Sequence, residues 1–181
     1  MQMIPYERLI IKSSLSADEA QQRLQDHLEP ARNFRWGWSK TKDYEGRLQD
    51  GIFSVRRILR SRNSFQPMID GEILSEIDGC AVRIRMRPHI LVSVFMAIWL
   101  GFIALLFLGI LRTLAADFIQ TGALSASPFD LLFPGALFIL GYGLLLGGFK
   151  YESRKSKAFF RELFQARQMD ELGIQDLFGG R

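Results

Sequence analysis

Two stretches of this chain carry no charged side chain: the twenty-four residues from Pro88 to Leu111 and the nineteen from Leu131 to Phe149. As helices rising about 1.5 Å per residue they reach about 36 Å and about 28 Å, against a bilayer hydrocarbon core of about 30 Å. Fifteen of the residues from Ile90 to Leu111 are Leu, Ile, Phe or Val. Each is favourable by about 0.3–0.6 kcal/mol near the centre of a membrane helix, where one Arg costs about 2.5–3.5 kcal/mol. A soluble protein has to wrap such helices on every side, and the rest of a 181-residue chain is too short to do so. The pattern predicts a transmembrane helical hairpin over 88–149, with helices at about 88–111 and 131–149.

The hairpin divides the remainder into a domain over 1–87 and a tail over 150–181. Tyr6 to Leu15 reads as a strand with a short buried run at Leu9, Ile10 and Ile11. Ser16 with Glu19 three residues on is a capping box. Ala17, Ala20, Leu24 and Leu28 then share one helical face, and Pro30 ends the helix. Phe34, Trp36 and Trp38 alternate with polar residues and suit either the domain core or the headgroup region.

Further on, Phe53 and Val55 alternate with Ser54 and Arg56. Pro67, Ile69, Gly71 and Ile73 oppose Met68, Asp70 and Glu72, and Asp78-Gly79 marks a turn. Val82, Ile84 and Met86 against Arg83, Arg85 and Arg87 is the alternation of a half-buried strand. The fold class expected is α+β: a small cytoplasmic antiparallel sheet with one packed helix, the membrane hairpin, and a C-terminal amphipathic helix.

Orientation follows from flanking charge. Residues 67–87 carry three Arg and residues 150–170 carry six Lys or Arg, whereas the connecting loop from Thr113 to Asp130 has Asp117 and Asp130, and Arg112 precedes it. Positive flanks stay inside, so both termini are expected in the cytoplasm. Met1 to Ser14 has no cleavable apolar core, which leaves the first apolar run to act as its own insertion signal.

Within the hairpin, Ala97 with Gly101 and Gly143 with Gly147 place small residues one turn apart, a spacing that lets helices approach closely. They are candidate helix-packing positions, within the hairpin or against another subunit. After the second helix, Lys150, Arg154, Lys155 and Lys157 form a basic cluster beside Phe159, Phe160 and Phe164. Such a helix suits anionic headgroups, or docks its aromatic face on the sheet. Arg56, Arg57, Arg60 and Arg62 are a second basic group able to contact a headgroup or an acidic partner.

Chemistry is sparse. His27 and His89 stand in no metal-ligand spacing, and the single Cys80 has no histidine near it in sequence. No metal, cofactor or catalytic residue is expected. A formal charge of +4, spread over both ends, does not favour nucleic acid.

The order Gly46, Phe53, Arg56, then Arg62-Asn63-Ser64-Phe65, Pro67 and Gly71, the Val82 to Arg87 strand, the hairpin, and Phe149 with Glu152 and Lys155 resembles a group of uncharacterised bacterial two-pass inner-membrane proteins. The resemblance covers about 46–160. It implies a bacterial inner membrane and no catalytic residue, and Gln66 departs from it where an apolar residue is usual. The function expected is a non-catalytic accessory or scaffolding subunit of a membrane complex. Its partners would be membrane lipids and a protein or a second copy. The alternative is a membrane-proximal module for a lipid or other hydrophobic ligand.

Overall fold

The computed structural model describes residues 4–30, 42–58, 65–122 and 127–172. Strand β1 (Glu7–Ser13) leads into helix α1 (Ala17–Asp26), followed by β2 (Leu28–Pro30), β3 (Tyr44–Gln49), β4 (Ile52–Arg57), β5 (Pro67–Glu76) and β6 (Gly79–Pro88). Two long helices come next, α2 (Ile90–Thr121) and α3 (Pro128–Leu163), and then β7 (Ala166–Leu172). The strands form one sheet in the order β2-β3-β4-β5-β6-β1-β7.

The fold is α+β, and the sheet is mixed rather than wholly antiparallel: β2 runs parallel to β3. Helix α1 also stops sooner than its apolar spacing suggests. Asp26 is its last residue and His27 the cap, so Leu28 enters the core from β2 rather than from the helix. The helix starts at the expected capping box. Ser16 Oγ accepts from the Glu19 amide at 3.2 Å, and Glu19 Oε2 accepts from the Ser16 amide at 2.9 Å.

Two compact units result, one of residues 1–89 with 148–181 and one of residues 90–147. The first is two layers. Period-two alternation sends Leu9, Ile11, Phe53, Val55, Ile69, Val82, Ile84 and Met86 to one face of the sheet, where all are buried. Ala20 and Leu24 of α1 cover part of that face. The final turns of α3 bring Phe149, Phe160, Leu163 and Phe164 into the same cluster, so a second helical segment packs there beside α1. The aromatic face after Lys150 therefore docks on the sheet. Phe160 stacks on Phe164 with ring centroids 5.9 Å apart and meets Tyr44 at 5.5 Å.

Gly71 marks a place where space is decisive. A Cβ there would stand 2.3 Å from Cζ of Phe53, so the ring occupies the volume of the missing side chain. The outermost strand β7 is paired only with β1. Its Arg167, Asp170 and Glu171 are exposed charges of the sort that discourage edge-to-edge pairing.

In the second unit, α2 continues past Arg112 to Thr121, so residues 113–121 are helix where a loop was expected. Gly122, at φ 69°, stops it, with its amide bonded to the Phe118 carbonyl at 2.9 Å, a left-handed C-cap that glycine adopts without strain. Helix α3 opens on a reciprocal cap in which Ser127 Oγ accepts from the Phe129 amide and Asp130 Oδ2 from the Ser127 amide. Both helices are long and apolar enough to cross a membrane.

Candidate functional site

The basic residues after the hairpin are drawn largely inward. Glu7 on β1 is buried, and its carboxylate accepts from Lys150 Nζ at 2.6 Å, from Lys157 Nζ at 2.8 Å and from Ser153 Oγ. Lys157 also reaches Glu171 Oε1 at 2.7 Å. Burial alone would raise the Glu7 pKa, but the bonds from Lys150, Lys157 and Ser153 outweigh it and hold the carboxyl below its ordinary value. Burial likewise works against the Lys157 cation, and the bonds to Glu171 and Glu7 more than compensate, so its pKa is raised. Both groups are held in their charged forms.

A second buried carboxylate, Glu152, receives Arg57 Nη1 at 3.4 Å and Lys155 Nζ at 3.7 Å. Lys155 Nζ also sits 3.9 Å from the centroid of the Tyr151 ring. Arg56 pairs with Glu45 across β3 and β4. Beside Glu152 lies Tyr44, whose hydroxyl burial pushes its pKa up to about 12.

Of the eight basic residues expected at a headgroup, Arg56, Arg57, Lys150, Lys155 and Lys157 thus hold carboxylates of their own chain. Arg60 and Arg62 lie outside the described residues, as do Phe34, Trp36 and Trp38. Arg154 is exposed and has no carboxylate partner among the described residues. The signal that was missed is the acid at each end of these pairs. Glu152, Ser153 and Ser156 fall on the same helical face as Phe149 and Phe160, which makes them inward-facing polar residues.

The space between α3 and the sheet is occupied by Tyr44, Phe53, Phe149, Phe160 and Phe164, all with 1% exposure or less. Within the helical unit, Ala97, Gly101, Gly143 and Gly147 are all exposed. A Cβ added to any of these three glycines would meet nothing within 4 Å, so they do not form the contact within the hairpin. That contact is made at Gly141, where an added Cβ would stand 1.9 Å from Cζ3 of Trp99.

The accessible site is the other face of the sheet, which neither α1 nor the end of α3 covers. Side chains of β4, β5, β6, β1 and β7 line a solvent-open concavity of about 650 Å³ there. Two adjacent rows of this face run across the strands in register: Ile52, Glu72, Arg83 and Ile10, with Asp170 at the edge beyond the concavity, then Ser54, Asp70, Arg85, Arg8 and Leu172. Arg83 pairs with Glu72 at 3.1 Å, and Arg87 in the next row pairs with Asp70 at 3.0 Å.

No family model, curated protein or solved structure matches this chain.

Proposed function

We propose that this chain is a non-catalytic accessory subunit of a bacterial inner-membrane complex. Its α2–α3 hairpin crosses the bilayer with both chain ends in the cytoplasm, and its α+β unit engages a protein partner. The observation that carries this reading is the exposure of the apolar helices. Ile98 is 69% exposed, Leu105 69% and Ile139 73%, on faces where Phe95, Phe102, Leu132 and Leu140 are exposed as well. An apolar surface made of so many exposed large side chains is one that lipid tails cover and water does not. The flanking charge supports the orientation: the arginines of β6 precede α2, and the lysines after Phe149 follow the apolar part of α3.

The test is fractionation of cells expressing the full chain, with reporters fused after Arg181. The protein should stay in the membrane pellet through a carbonate wash and be released only by detergent. A fluorescent reporter at the C-terminus should be bright and an alkaline phosphatase fusion inactive. Recovery in the soluble fraction would sink the anchoring, and active phosphatase would reverse the orientation. Purification in mild detergent should bring down a stoichiometric protein, and a strictly monomeric sample with nothing attached would count against a subunit role.

A further inference from the structure

We propose that the open face of the sheet is a docking surface for an acidic, amphipathic segment of a partner protein, recognised by Arg8 and Arg85. The proposal rests on the accessory-subunit reading and gives the partner a chemistry.

The electrostatics of the face single out these two residues. Three of its arginines have a carboxylate beside them: Arg56 has Glu45, Arg83 has Glu72 and Arg87 has Asp70. Arg8 and Arg85 face each other directly across β1 and β6. Like charges in directly opposed positions oppose strand pairing, and neither guanidinium is paired with a carboxylate among the described residues. Asp70 is the register neighbour of Arg85 on its other side, but its oxygens engage Ser54 and Arg87 instead. Oδ1 accepts from Ser54 Oγ at 2.7 Å and Oδ2 from Arg87 Nε at 3.0 Å. Asp170, the acid nearest on β7, accepts from Gln168 Nε2 at 2.8 Å. Arg8 is steadied by Tyr6, whose ring centroid is 5.3 Å from its Cζ and whose hydroxyl accepts from its Nε. The sheet thus presents two planar forks side by side, each able to hold a carboxylate through two hydrogen bonds. The missing acid belongs to something that docks.

The apolar positions decide what kind of molecule that is. Ile52 and Ile10 stand in the same row with the Glu72–Arg83 pair between them. Three strand spacings of about 4.8 Å put them about 14 Å apart. Leu172 adds a third apolar point beside Arg8. A fatty acyl chain bridging Ile52 and Ile10 would have to lie across the ion pair, and an inorganic anion would leave all three apolar residues unused. A flat bilayer surface does not fill a concavity. A polypeptide can place apolar side chains at Ile52, Ile10 and Leu172 and carboxylates at Arg85 and Arg8 in the adjacent row.

The experiment uses the full chain in a neutral detergent and a fluorescein-labelled peptide of alternating glutamate and leucine, read by anisotropy. Saturable binding that weakens with salt is expected. The R8Q/R85Q double variant should lose about tenfold or more in affinity, the loss of charge-assisted hydrogen bonds. Because it removes a like-charge pair, it should unfold no more readily than the parent. The E72Q/R83Q double variant, which removes a paired acid and base together, should change affinity much less. The R8E/R85E variant should reject the glutamate peptide and gain binding to the matching lysine–leucine peptide.

The proposal is overturned if no saturable binding occurs, if R8Q/R85Q binds like the parent, or if E72Q/R83Q loses as much. Millimolar inorganic phosphate displacing the peptide as completely as unlabelled peptide does would assign the arginines to a small anion, also overturning it. Protein that stays with carbonate-washed membranes yet ignores the peptide removes this proposal and leaves the anchoring intact, whereas loss from the membranes removes the anchoring.

Discussion

Lys150 Nζ lies 2.6 Å from Glu7 Oε1, and these two residues are 143 positions apart in the chain. The carboxylate is almost fully buried and is shared with Lys157 and Ser153, so it ties the first strand to the last helix. Removing one member of a buried ion cluster leaves the others uncompensated. Glu7→Gln is expected to lower the unfolding free energy by about 3 kcal/mol, read from denaturant unfolding of the chain in detergent. A change within about 0.5 kcal/mol, the usual range for a surface residue, would place Glu7 outside the stabilising framework.

The same cluster sets a pH dependence. Glu7 has its pKa lowered in the folded state, so the stability it contributes is present above the ordinary carboxylate pKa of 4.5 and is lost as pH falls through the lowered folded value. Lys157 has its pKa raised, so its contribution is complete below the ordinary 10.5 and is lost as pH rises through the raised folded value. Melting temperature should therefore fall on the acid side below about 4.5, and on the alkaline side from about 9.0, where the buried Cys80 thiol with its raised pKa begins to weigh against the fold before Lys157 titrates. In the Glu7→Gln variant the acid-side fall should be shallower.

Among the described residues Phe160 meets the most rings, those of Tyr44, Phe53, Phe159 and Phe164. Truncating a fully buried phenylalanine removes its transfer energy and leaves a cavity, so Phe160→Ala should cost about 3–5 kcal/mol. A calorimetric scan should show a broad loss of cooperativity in the sheet unit. Phe129→Ala, in the other unit and exposed, should leave that transition where it is.

Glycines of the hairpin are expected to divide by what faces them. Gly141→Ala drives a methyl into the Trp99 ring and should destabilise the helical pair by about 1–3 kcal/mol. Gly143→Ala and Gly147→Ala meet open space and should leave the monomer unchanged or slightly steadier, through better helix propensity. Trp99 fluorescence during thermal unfolding in detergent separates the two outcomes.

Cys80 is 1% exposed, and burial pushes its thiol pKa up, so a thiol reagent has neither access nor a thiolate to attack. As the single cysteine of the chain, it should label only when β6 opens. Its labelling rate should rise in step with Glu7→Gln and Phe160→Ala, read by mass spectrometry of the intact protein. Fast labelling of the parent protein would contradict the burial.

What the sequence disclosed was the part with simple periodicity. The alternation from Val82 to Met86 matches the buried and exposed residues of β6, and the Ser16–Glu19 box starts α1 where expected. The hairpin's helices were recognised but cut short, because Arg112 and Asp117 read as loop while the helix continues around them to Gly122. β7 escaped notice because an edge strand rich in Arg167, Asp170 and Glu171 has the composition of a solvated tail.

The basic cluster was visible and its role was not. A lysine bound to a distant glutamate has the same local sequence as one facing water, and only the register of β1 against the helix face tells them apart. Arg8 and Arg85 stood out least of all, since nothing in one dimension shows that two arginines 77 positions apart become cross-strand neighbours.

β1 lies between β6 and β7, whose sequence positions fall on either side of the hairpin. β1, made before either, must therefore wait for both. Its second edge stays bare until α2 and α3 have been synthesised and β7 has followed them out. Completion of the sheet becomes a late event in synthesis, after both long apolar helices, and a chain terminated within them would expose a half-built sheet for quality-control proteases to find.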